Sequence, residues 1–133
     1  MSLNDAIGNL QAKAMSLSGM RAAPNAPTES ANVFPFAVSY ERSGRLVVRS
    51  ASFGDDLATI YTELHVSRQL LPRAIEQAMS MRDAFLKQLI ADPTLGGSVS
   101  CVIEVRRTFG RLEWNGAETI GYRFEVDVKV PLV

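Results

Sequence analysis

The sequence predicts an α+β domain: a mainly antiparallel sheet of about five strands, one long helix packed on a face, and a short N-terminal helix. Three observations carry this expectation. Residues 70–97 read as one long amphipathic helix with a marked start and stop. Segments on both sides alternate apolar and polar residues, as half-buried strands do. The joints between those segments are short, which favours hairpins over parallel crossovers.

The long helix is predicted from Leu71-Pro72, where a proline near the first helical position loses no hydrogen bond. Its apolar positions are Ile75, Ala78, Met79, Phe85, Leu86, Leu89 and Ile90, with Arg82 at the edge of the stripe. Glu76, Ser80, Asp83 and Lys87 fall on the other side, with Asp83 and Lys87 placed as an i,i+4 pair. Asp92-Pro93 and then Gly96-Gly97 end it.

Taken from the start, residues 3–17 place Leu3, Ile7, Leu10, Ala14 and Leu17 at helical spacing, with Ser2 as the expected cap. Residues 18–35 lose all periodicity and read as a tether that lets this helix sit at a distance. The domain boundaries are therefore 1–33 for helix and tether, and 34–133 for a single α+β domain. Strands are expected at 34–41, 45–52 and 57–66, with turns at Arg42-Ser43-Gly44 and Gly54-Asp55-Asp56. After the long helix, Val99, Cys101, Ile103 and Val105 are expected on one strand face. Asn115-Gly116 is a strong hairpin signal. The last strand alternates Ile120, Tyr122, Phe124, Val126, Val128 and Val130 with Gly121, Arg123, Glu125, Asp127 and Lys129.

The chain has 133 residues, enough for one domain with a true core. Fourteen basic residues balance fourteen acidic ones, which argues against a nucleic-acid binder held by phosphate charge. Near-zero net charge also repels copies poorly, a mild hint of assembly. The single cysteine, Cys101, excludes an intrachain disulfide. The first residues show no signal peptide, and no apolar run approaches the length of a membrane span, so synthesis in a cytoplasm is expected.

No motif carries catalysis. His65 is the only histidine; Ser67 is nearby, but no nucleophile elbow surrounds it. One cysteine and one histidine make no metal cluster, and Asp55-Asp56 lacks the ligand pattern of a calcium loop. Gly96-Gly97 follows a helix, the wrong polarity for a phosphate loop. No cofactor is expected. Arginine outnumbers lysine: Arg42, Arg45, Arg49, Arg106, Arg107, Arg111 and Arg123 fall on strands and turns, among Glu41, Glu63, Glu104, Glu113, Glu125 and Asp127. Such mixed charge suits either a solvated sheet face or self-association.

The order of elements, the run Asp92-Pro-Thr-Leu-Gly-Gly-Ser-Val99 leading into a strand, and the strand Gly121-Tyr-Arg-Phe-Glu-Val-Asp-Val-Lys-Val130 after Trp114 resemble the tail terminator, or tail-completion, proteins of long-tailed phages and related tailed particles. The resemblance covers most of residues 34–131. It implies a non-enzymatic virion protein, made in the host cytoplasm. Copies would form a ring, usually of six, that caps the tail tube and joins it to the head connector. The implied partners are the chain itself, the tail tube protein and the connector protein, without membrane or sequence-specific nucleic acid; DNA passes through the ring lumen. The expected contact residues are Arg106, Arg107 and Arg111, with Asp92, Thr94, Leu95, Gly96 and Gly97 at the helix stop; Arg107→Glu is expected to weaken assembly without unfolding the monomer. The rivals are another neck or minor tail protein, or a small ligand-binding or enzymatic domain using His65.

Overall fold

A computed structural model describes residues 2–21, 23, 34–51, 53–68, 71–114 and 116–132. The elements are α1 (Leu3–Met15), β1 (Phe36–Ser50), β2 (Phe53–Val66), α2 (Leu71–Ala91), β3 (Cys101–Trp114) and β4 (Ala117–Leu132). The strands form one four-stranded sheet in the order β1-β2-β4-β3, antiparallel throughout. The expectation of about five strands under a single covering helix is thereby overturned: there are four long strands, and two helices contribute to the core.

The strand count changes because residues 42–44 do not turn. β1 runs straight through them, and a bulge between Glu41 and Ser43 absorbs the extra residue. The chain reverses later, since Ser50 pairs with Phe53, and Gly54, Asp55 and Asp56 already belong to β2. The β1–β2 register shifts again between Val48 and Ser50, and a third irregularity, a bulge, lies in β3 between Val102 and Glu104. It breaks the expected alternation, so Val102 and Val105 pack against the core while Ile103 is exposed. Trp114 pairs with Ala117, which leaves a two-residue connection containing Gly116 at φ 82°. Asn115 of the expected Asn-Gly turn lies outside the described residues.

One face of the sheet carries Ala58, Ile60 and Leu64 from β2 with Tyr122, Phe124, Val126 and Val128 from β4, all buried. Against it α2 sets Ala74, Ala78, Met81, Phe85 and Leu89, with Phe85 and Phe124 rings 4.9 Å apart. That stripe is rotated from the expected one: Ala74 and Met81 are inside, while Met79 and Ile90 are exposed. Asp83 pairs with its neighbour Arg82, whose guanidinium lies over the Tyr122 ring.

The N-terminal helix is part of the same core. Ser2 caps α1 by accepting from the Asp5 amide at 3.1 Å, as expected. Ala6, Leu10 and Ala14 are fully buried. Gln11 donates to the Ala37 carbonyl at 3.0 Å and accepts from the Ser39 hydroxyl, which also bonds Thr62. Gln88 of α2 donates to the Lys13 carbonyl and to Ser16 Oγ. The helix therefore does not sit at a distance. Of the expected tether, Leu17 and Met20 are buried and Arg21 donates to the Pro35 carbonyl; residues 22 and 24–33 lie outside the described residues.

Candidate functional site

The sheet face turned away from the helices divides in two. At one end, side chains of β1, β2, β3 and β4 seal a polar network. Glu63 and His65 are two apart on β2, so they share this face. They are 1% and 0% exposed. Glu63 accepts from Tyr40 Oη at 2.8 Å, from Arg123 Nε at 2.9 Å and from His65 Nε2 at 2.9 Å. A carboxylate only accepts, so His65 Nε2 carries the proton in that bond, and Nδ1 is hydrogen-bonded to the Thr119 hydroxyl. Phe36 stacks on the imidazole at 4.5 Å and Trp114 meets it edge-on. Val38 and Leu112 are buried on the same side. Arg123 also lies over the Tyr61 ring at 4.9 Å.

The charges within follow from this packing. Burial pushes the Glu63 carboxyl up, but the hydrogen bonds from His65 and Tyr40 and the Arg123 guanidinium outweigh it and hold the group below its ordinary value. Burial, then the bond to Glu63, raises the Tyr40 phenol, so it stays protonated. Both imidazole nitrogens are hydrogen-bonded, and Phe36 covers one ring face.

The other end of this face is open. A groove of about 370 Å³ is lined by Ser43, Arg45, Leu57, Thr59, Ile103, Arg106 and Asp127, with backbone of Gly44, Ala58 and Val128. One wall is a charge ladder across β3 and β4. Arg106 binds Asp127, Glu104 and Glu125, and Thr59 donates to Asp127 at 2.6 Å. These bonds raise Arg106; at Asp127 burial pushes upward and the Arg106 and Thr59 bonds prevail, lowering it.

The expected contact residues do not form one patch. Arg106 is committed to its three carboxylates on the open face. Arg107 pairs across to Phe124, on the opposite face, and is exposed without a partner among the described residues. Arg111 is exposed, 4.0 Å from Glu118. Asp92 is occupied internally: it receives Lys13 Nζ at 2.7 Å and the Gly96 amide, and the lysine leads in holding its carboxyl below the ordinary carboxylate value. Leu95 is buried at φ 49°, a strained conformation held by its place in the core. Thr94, Gly96 and Gly97 are exposed, with Thr94 Oγ1 accepting from the Gly97 amide.

Sequence reasoning missed the hairpin end of β1 and β2. Leu46 and Val48 are 56% and 70% exposed. Both alternate on the side of the sheet that the helices cover elsewhere, beside Asp56, which pairs across to Leu46. Exposure of these residues follows from the strand running on where a turn was expected.

Neither a protein-family model nor a curated protein sequence matches this chain. Among the described residues no helix is long and apolar enough to cross a membrane, and no group of three or more His, Cys, Asp and Glu side chains is placed to hold a metal.

Proposed function

We propose that this chain is a structural assembly subunit, a tail terminator of a long-tailed phage or related particle. It would form a ring, six-fold on the resemblance, that caps the tail tube, ends tube polymerisation and joins the tail to the head connector. The observation that carries the reading is the exposed apolar surface on both edge strands, Leu46 and Val48 on β1 and Ile103 and Phe109 on β3. Bulges and charged residues blunt both edges against open-ended strand pairing, and the apolar side chains exposed beside them mark a surface for side-chain contact. A covered imidazole with both nitrogens bonded supports a non-enzymatic role, since a substrate cannot reach it without displacing Phe36 or Trp114.

Termination then has a physical basis. A ring whose lower face matches the tube end, and whose upper face lacks the site for a further tube subunit, stops growth without any chemistry. The test is tail length by electron microscopy in particles made with and without the chain. Tails of uncontrolled length in its absence, restored to uniform length on adding the protein back, support the reading. Uniform tails in its absence overturn it in favour of another neck or minor tail component.

A further inference from the structure

Resting on that ring reading, we infer that copies join front to back at the β1–β2 hairpin: the Leu46–Val48–Asp56 surface of one copy seats in the open-face groove of the next, with Asp56 paired to Arg45. Leu46 pairs with Asp56 and Val48 with Gly54, so all three side chains named project from one side of the hairpin. Arg45 pairs with Leu57, which sets both on the other side, and both line the groove. Front and back of the same ribbon thus carry matching chemistry. The front offers two exposed aliphatic side chains and a carboxylate; the back offers a groove with Leu57 and Ile103 in its lining and a guanidinium.

Both charges are available. Among the described residues, neither the Asp56 nor the Arg45 side chain has a hydrogen bond or ion pair, whereas the neighbouring Asp55, Arg49, Lys129, Arg106 and Asp127 are all engaged. Asp56 and Arg45 of one chain lie on opposite faces and cannot satisfy each other. A second copy supplies each with its complement. Such a contact is heterologous, so it repeats from copy to copy and closes when the rotation between copies closes. The bulges at Glu41/Ser43 and Val48/Ser50 add twist to the ribbon, and twist turns successive copies about an axis.

Arg45→Glu and Asp56→Arg test this in the full-length protein, with mass photometry and electron microscopy on tail tubes as readouts and circular dichroism as the check on folding. Each single variant is expected to need about tenfold more protein to assemble. An equimolar mixture of the two variants is expected to recover assembly, because the changed groove of one meets the changed front of the other, and the two unchanged halves also meet. As a readout independent of charge, Arg45→Cys/Asp56→Cys in a Cys101→Ser background is expected to give, on oxidation, a ladder of covalent multimers ending at the ring. Wild-type rings with no ladder, or single variants that assemble as wild type, overturn this interface and leave the ring reading standing. A wild-type chain that forms no multimer even on tube ends overturns both.

Discussion

Glu63 is the residue on which the sealed end of the sheet depends. It is acceptor for three donors, all brought to it by strand register. Glu63→Ala would leave Arg123, Tyr40 and the imidazole facing an apolar gap. Breaking a buried pair from one side costs about 3–5 kcal/mol, to be read as a lower urea midpoint. Its sign with pH is fixed. The folded pKa lies below the ordinary 4.5, so the contribution is complete above that value and disappears as pH falls through the folded pKa. Asp92, drawn down first by Lys13, and Asp55, drawn down first by Arg49, act in the same direction below their ordinary 3.8. Wild-type stability should therefore drop steeply with acid from that range downward. Glu63→Gln should be weaker at neutral pH and lose less on acidification; equal slopes for the two proteins would show that this carboxylate is not a source of the acid sensitivity. Gly121 sets a second limit at this scale. A Cβ there would sit 1.8 Å from the Leu64 carbonyl oxygen, inside any contact distance. Gly121→Ala should force β4 away from β2 and yield mostly unfolded or insoluble chain, which circular dichroism of the purified protein would reveal.

Among the elements, α1 gives the sharpest prediction. If it were an arm, truncating its apolar face would leave the sheet untouched. Leu10 is fully buried and Gln11 ties the helix to Ala37 and Ser39, so Leu10→Ala should cost about 2–5 kcal/mol by urea titration. A change near zero would return α1 to the status of an appendage. The limits of α2 were legible because Pro72 and Asp92-Pro93 are local signals. Its buried face was less so: Met79 and Ile90 are as apolar as Met81 and Leu89, and only the sheet decides between them. β4 was legible because both its neighbours are strands, so a clean period of two survives. β1 was not, since Arg42-Ser43-Gly44 has the composition of a turn and a bulge alike. The Glu63–His65 network was hidden for a related reason. Alternation sets both on one face of their strand, and the side chains that crowd that face, Phe36, Val38, Leu112 and Trp114, come from β1 and β3 and arrive only through cross-strand register.

For the whole molecule, the balance between apolar contact and charge determines how the proposed ring should respond to conditions. Net charge is zero, so no long-range repulsion opposes association. Leu46 and Val48 are already partly covered, so burying what remains in a neighbour's groove is worth about 1–2 kcal/mol per side chain, whereas a partly exposed Arg45–Asp56 pair contributes about 0–1 kcal/mol and is screened by salt. Apolar burial is driven by water entropy near room temperature and weakens on cooling. Assembly should therefore strengthen between ice temperature and about 30 °C, and change only a few-fold when salt rises from about 0.05 to 0.5 M. Leu46→Ser/Val48→Ser should abolish it at every salt concentration, with the monomer still folded because both side chains are already in water. Asp56→Asn should weaken it modestly and make it indifferent to salt. Sedimentation velocity across temperature and ionic strength separates the two terms. Assembly that collapses with salt yet ignores temperature would mean that charge alone joins the copies, and that the aliphatic end of the hairpin faces something else.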